Sequence, residues 1–253
     1  MEKIGLALGG GAVLGAAHIG VIRALEEIDV EISFVTGTSI GAFVGALYAF
    51  GNTSKNIEEI ALELSWTDIS GIAIFESGLL SNAKLGKLLE KSLGEKKIED
   101  ADIPLAVIAT DIVNGDKVVL DKGRVAQAVM ASTCIPGVFS PVELDDKLLV
   151  DGGIVENIPI DTAKNMGADY VIGVDLNANK TYHKPDSILD VIINSFHFTL
   201  KAASRFQTKD ANLLITPDLS KFNMVSTDQI KDLIEQGYKE GKEQLKKADL
   251  HIR

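Results

Sequence analysis

Cysteine is all but missing from this chain. One residue, Cys134, stands among 253, which excludes an internal disulfide and fits a reducing compartment. Its place before Ile135-Pro136-Gly137 is that of a buried structural thiol, not a reactive one. No apolar run approaches the ~18 residues a helix needs to cross a bilayer. A signal-peptide pattern is missing too, because Met1-Glu2-Lys3 leads straight into an apolar run, and a cytoplasmic location is expected. Positive charge is in deficit: 25 Lys and Arg against 36 Asp and Glu give a formal net charge of −11. That balance argues against nucleic acid as a partner, and against anionic membranes gripped by bulk electrostatics. Lys242, Lys246 and Lys247 alternate with Glu240 and Glu243 and read as a solvated helix face. Histidine is scarce, at four residues, and no His, Cys or carboxylate group has metal-ligand spacing. No metal or other cofactor is expected.

What is present is an ordinary globular composition, 46% apolar and 24% charged, with short apolar runs alternating with helical patterns along nearly the whole chain. Ile4–Leu8, Ile32–Val35, Leu105–Thr110, Lys147–Val150, Tyr170–Val174 and Leu213–Ile215 read as strands. Helices are expected at Leu14–Ile28, Ala42–Phe50, Lys55–Leu64, Asn82–Leu93, Val125–Met130, Pro159–Asn165, Ser187–Lys209 and Thr227–Lys247. Val118–Leu120 pairs with the preceding strand as a hairpin across Asn114-Gly115-Asp116. With no repeat or linker, one domain over residues 1–253 is expected, an α/β fold with a mainly parallel sheet between two helical layers. Trp66–Leu80 settles into neither period and reads as a buried irregular loop or as an apolar flap over a hydrophobic cleft.

The chemistry gathers at three places. Gly37-Thr38-Ser39-Ile40-Gly41 is a G-x-S-x-G turn between a strand and a helix, where a serine is held on a strained bend with its hydroxyl exposed. Gly9-Gly10-Gly11-Ala12-Val13-Leu14-Gly15 follows the first strand and presents consecutive backbone amides at a helix start, an anion cradle. A P-loop is excluded there because Ala16-Ala17 follows Gly15, and a dinucleotide fingerprint fails because Leu14 takes the last glycine position. An oxyanion hole for Ser39, built from the amides of Gly10, Gly11 and Ala12, is the remaining chemical reading. Asp151, at the end of the strand Lys147–Val150 and followed by Gly152-Gly153, is a candidate base. A hydrolase triad would need a histidine after that aspartate, and His183, His197 and His251 do not follow strands as required. His18 lies in the helix after the glycine turn, where it packs or caps. A Ser39–Asp151 dyad explains these residues better than a triad. Asn157 either orients the Asp151 loop or caps the helix opening at Pro159, with the cap favoured.

In their order and spacing these motifs resemble the patatin-like phospholipase family, in particular its compact bacterial members. Further similar text is Ala16-Ala17-His18-Ile19-Gly20-Val21, Ala109-Thr110-Asp111, Ala131-Ser132-Thr133-Cys134-Ile135-Pro136-Gly137-Val138-Phe139 and Asn157-Ile158-Pro159. The resemblance implies a serine esterase or lipid acyl hydrolase, of phospholipase A or lysophospholipase type, with Ser39 as nucleophile and Asp151 as base. Its substrate would be an acyl lipid or other carboxylic ester, met in transient contact with a membrane surface. The departure is Leu14, where members usually carry a cation, and Ala12 still offers its N–H but needs a backbone conformation compatible with a Cβ. Two alternatives keep the fold: a catalytically degenerate acyl-lipid-binding protein, and an acyltransferase using the same acyl-serine.

Overall fold

The computed structural model describes residues 2–63, 81–179, 184–186, 188–224 and 226–248. The segment Trp66–Leu80, read above as a loop or flap, lies outside these residues, as do His183 and His251. The strands are β1 (Ile4–Leu8), β2 (Ile32–Thr38), β3 (Leu105–Asp111), β4 (Asp116–Leu120), β5 (Val142–Leu144), β6 (Lys147–Asp151), β7 (Tyr170–Val174) and β8 (Leu213–Ile215). They form one sheet in the order β5-β6-β3-β2-β1-β7-β8, with β4 added on β3. The pairs β1–β2, β1–β7, β2–β3 and β7–β8 are parallel. The pairs made by β4, β5 and β6 are antiparallel.

The helices are α1 (Ala16–Glu27), α2 (Ile40–Ala49), α3 (Ser54–Leu62), α4 (Ala83–Leu93), α5 (Val125–Ser132), α6 (Gly153–Glu156), α7 (Ile160–Asn165), α8 (Ile188–Gln207) and α9 (Ile230–Lys247). Side chains on a strand alternate between faces, and β1 uses both. Leu6 and Leu8 join the main core with α1, α2 and α9, whereas Ala7 packs with Ile160 and Ala163 of α7 on the opposite face. The central strands are therefore buried on both sides and read as continuous apolar runs. The result is the expected three-layer α/β/α sandwich with a mainly parallel sheet.

The two sheet halves meet along β3. Val107 and Ile108 pair with β2 on one side and β4 on the other. Ala109, Thr110 and Asp111 pair with both β4 and β6. A strand has only two edges, so β6 must occupy the edge that β2 occupies, beyond the point where β2 stops. Strand β2 ends with Thr38 opposite Ile108, and β6 arrives from the other direction and ends with Asp151 opposite Ala109. The two strands run head to head along one edge of β3.

The strand expected at Lys147–Val150 is present as β6, which carries Asp151 at its end and is one arm of an antiparallel ribbon with β5. Its turn is Asp145-Asp146, with φ of 50° and 59°, the left-handed pair that a two-residue hairpin of matching twist requires. The junction itself is crowded. A Cβ on Gly152 would lie 2.2 Å from the Ile108 carbonyl oxygen, so only glycine lets β6 close against β3. Replacing Gly152 with alanine should cost more than about 3 kcal/mol, beyond the usual overpacking range, because the obstacle is backbone. Gly94→Ala is the control: its φ of 76° and ψ of −173° favour glycine but nothing lies within 4 Å, so only backbone strain of about 1–3 kcal/mol is expected. Urea unfolding midpoints of both variants measure the difference.

Candidate active site

Ser39 terminates β2 and precedes the first residue of α2, with φ 54° and ψ −126°. A non-glycine residue rarely adopts this conformation, and the surroundings must supply about 1–3 kcal/mol to hold it. Part of that hold is visible: the Ser39 amide donates to the Ser132 hydroxyl at 2.8 Å. Its carbonyl accepts from Ala42 and Phe43. The hydroxyl makes no capping bond to α2, so the side chain is left for other use. Gly41 is required because a Cβ there would lie 2.1 Å from the Leu8 carbonyl oxygen.

Asp151 is fully buried, with its backbone held on both sides. Its amide donates to the Cys134 carbonyl at 2.9 Å, and its carbonyl accepts from the Thr110 hydroxyl at 2.9 Å. Oδ1 accepts from the Gly153 amide at 2.8 Å, while Oδ2 is buried without a hydrogen-bond partner among the described residues. Burial pushes the carboxyl pKa up to about 7, against the opposing pull of the Ser39 hydroxyl and the Gly153 amide. Ser39 is thus near enough to favour the charged form, although Oδ2 has no well-aligned hydrogen bond among the described residues.

The glycine turn lies across from this pair. The Gly10 amide is engaged by the Asn157 carbonyl at 3.3 Å and by Asn157 Oδ1 at 3.2 Å. That occupation differs from the expectation of Gly10 as a free donor. The amides of Gly11 and Ala12 donate to no acceptor among the described residues, and Ala12 sits at φ 52°. That left-handed conformation departs from the Cβ-compatible backbone expected of Ala12. Leu14 belongs to a short 3₁₀ turn, Ala12–Gly15, and is wholly buried in the main core. An apolar side chain suits it where a cation would not.

His18 Nε2 donates to the Gly9 carbonyl at 2.7 Å, and burial pushes its pKa down to about 4, so it is a neutral brace for the turn. Asn157 does more than either expected role. Besides holding Gly10, its Nδ2 donates to the Ser204 hydroxyl of α8 at 3.1 Å, and α7 has no side-chain cap. Cys134 is buried, donates to the Ser140 carbonyl, and has its thiol pKa pushed up to about 12, chiefly by burial and then by Asp151. It is inert, as read from its setting. Ser132 was missed by sequence reasoning as a site residue. Together with Cys134 it ties one segment to both Ser39 and Asp151, and its only sequence signal was the Ala131–Phe139 text.

Ser39 and Ala12 border a pocket whose other walls include Val13, Ile19, Phe43, Leu85, Ile135 and Ile230. Thr133 and Thr227 are among its few polar walls. Among the described residues no three His, Cys, Asp or Glu side chains gather as a metal site, and no helix is long and apolar enough to cross a membrane.

A strained serine at a strand–helix elbow, a glycine turn and a buried aspartate on an α/β/α frame define a class, and comparison narrows it. The model of the patatin-like phospholipase family matches residues 6–164, and the chain belongs to that family. An uncharacterized NTE family protein of Mycobacterium tuberculosis is 36% identical over 181 residues, 70% of this chain and 50% of the relative. The protein named Lysophospholipase NTE1 of Meyerozyma guilliermondii is 31% identical over 183 residues, 70% of this chain and 13% of its own length. The chain thus spans half or less of the length of these curated relatives. Among solved structures, VipD from Legionella pneumophila superposes with a TM-score of 0.56 at 15% identity, covering 98% of this chain and 67% of that one. That likeness is one of fold.

Two measurements probe the site without reference to any substrate. Ser132→Ala leaves the buried Ser39 amide without its partner and should lower stability by about 1–3 kcal/mol, read as a shifted denaturation midpoint. The folded-state pKa of Asp151 is pushed up to about 7 from an ordinary value of 3.8, so the folded protein binds the extra proton between those values. Its contribution to stability is present below about pH 4 and is lost as pH rises through about 7. Asp151→Asn should accordingly melt above the wild type at pH 8, with the gap closing towards pH 4, as calorimetry across that range would record.

Proposed function

We propose that the protein is a serine-dependent hydrolase of carboxylic esters of acyl lipids, of phospholipase A or lysophospholipase type. The observation that carries the reading is Asp151 Oδ2, a buried carboxylate oxygen without a hydrogen-bond partner among the described residues, beside a serine that borders an apolar pocket and whose hydroxyl favours the charged carboxylate. Unpaired buried acceptors are costly, and a near-neutral pKa is what a general base needs.

In this reading Ser39 Oγ bonds to the ester carbonyl carbon as its proton passes to Asp151 Oδ2. The carbonyl π electrons move onto oxygen, and the amides of Gly11 and Ala12 receive that oxyanion. Gly10, engaged by Asn157, serves the loop's shape. The intermediate collapses, the ester C–O bond breaks, and the departing alkoxide takes the proton from Asp151. Water then loses a proton to Asp151 as it attacks the acyl-Ser39 carbonyl, and the fatty acid leaves as the serine regains its proton. The apolar walls from Val13 to Ile230 suit an acyl chain. Membership of the patatin-like phospholipase family, with a relative named as a lysophospholipase, supports lipid as the substrate class.

Ser39→Ala should abolish release of p-nitrophenol from a p-nitrophenyl acyl ester, and Asp151→Asn should lower kcat by at least about 10³-fold, by analogy with the loss of activating groups elsewhere. Ser39 should take up a fluorophosphonate probe in the wild type. In the wild type kcat/KM should rise through pH 7 and level above it, since Asp151 must be ionised to accept the proton. Substantial turnover by either variant, or a flat profile between pH 5 and 9, would remove the dyad.

A further inference from the structure

A run of consecutive glycines poses a problem that the hydrolase reading leaves open. Glycine populates both halves of φ space about equally, so the peptide between Gly10 and Gly11 has two accessible orientations. One aims an N–H at a given point and the other aims a carbonyl there. Only the first can receive an oxyanion. The preceding peptide is already pinned, because Gly9 offers its carbonyl to His18 and Gly10 offers its amide to Asn157. Neither contact fixes the Gly10–Gly11 plane.

Asn177 does. It is 1% exposed, and its Nδ2 donates to the Gly10 carbonyl oxygen at 2.8 Å. A carbonyl demands a donor, so the carboxamide can be oriented in no other sense. The residue is carried there by a tight turn after β7: Asp175 Oδ1 accepts from the Asn177 amide at 2.8 Å, and the Asp175 amide is held by the Ile215 carbonyl at 2.9 Å. Leu176, between them, packs so closely under the loop that a Cβ on Gly11 would lie 2.8 Å from its Cδ1. The described peptide bonds are all trans. In a trans peptide the C=O and the following N–H point in opposite directions. With the Gly10 carbonyl drawn down to Asn177, the Gly11 N–H is turned the other way, and it donates to no acceptor among the described residues. Gly10 itself borders the nucleophile: a Cβ on Gly10 would lie 3.2 Å from Ser39 Cβ.

We infer that Asn177 is a positioning residue for the ester hydrolysis proposed above, locking the Gly10–Gly11 peptide so that the Gly11 N–H faces the oxygen that becomes the oxyanion. The inference rests on the hydrolase reading. Flipping the peptide would leave a buried carboxamide donor without a partner and would set a carbonyl lone pair against the developing charge. Asn177 therefore acts at a distance from substrate, through the peptide it holds, and its effect belongs to the transition state and not to the ground state.

The test compares wild type with Asn177→Leu and with the near-isosteric Asn177→Asp, which keeps the shape and offers no donor once its carboxyl is ionised, so all three are assayed at pH 9. Both variants should lose about 10²-fold in kcat on a p-nitrophenyl acyl ester, the loss typical of one oxyanion donor, with KM within threefold. The affinity for an alkylboronic acid should fall at least tenfold, because its tetrahedral adduct with Ser39 carries the charged oxygen. A merely structural role would instead move the melting temperature and KM together and spare the ratio of boronate to substrate affinity. Retention of kcat within threefold in either folded variant overturns the inference, as does a kcat loss with unchanged boronate affinity. A wild-type protein inert to esters and to fluorophosphonate overturns the hydrolase reading, and this inference with it. An active wild type beside an equally active Asn177→Leu overturns this inference alone.

Discussion

The site depends on the sharing of one strand edge by two strands of opposite direction. Along β3, β2 supplies the first part of the pairing and β6 the last. Because both run towards the same point, each presents its C-terminal residue there, and Ser39 follows one while Asp151 closes the other. The geometry needs no long side chain and no loop excursion to join them. Backbone ladders fix both ends, and that precision is what a proton transfer over a few ångströms requires. The small residues around the junction, Gly41 and Gly152, keep backbone from colliding where three strands crowd together.

The same arrangement explains how an aspartate can be buried so fully. Its main chain is satisfied by Cys134 and Thr110, and one carboxylate oxygen by Gly153. The other oxygen is left for Ser39 or a proton. Desolvation disfavours the charge, and the raised pKa measures that conflict between ladder geometry and electrostatics. On the proposed reading, stability is given up at alkaline pH for a base of useful strength, a trade that native structures make at functional places.

Much of this was legible in the sequence. The strands of the parallel set carry uninterrupted apolar runs such as Leu105–Ala109, which only two-sided burial produces. The Gly37–Gly41 pentapeptide and Asp151-Gly152-Gly153 marked the pair, and their order pointed to the family. The antiparallel ribbon was harder to see. Its turn, Asp145-Asp146, lacks the glycine that usually signals a hairpin, and Val142–Leu144 is too short to show a period. Direction could not be read either, because an apolar strand looks alike in a parallel or an antiparallel pairing. The partners of the glycine turn were hidden for another reason: His18, Asn157 and Asn177 are each single polar residues in ordinary surroundings. What they hold depends on contacts between segments distant in the chain, which no local pattern encodes.

The separation of the two halves has a temporal meaning. Ser39 and Asp151 lie more than a hundred residues apart, and the second rides on a ribbon that pairs with β3. As the chain leaves the ribosome, the elbow, the glycine turn and much of the apolar pocket emerge well before their acidic counterpart. On the proposed mechanism, a nascent chain lacks its base until more than half of it has been synthesised.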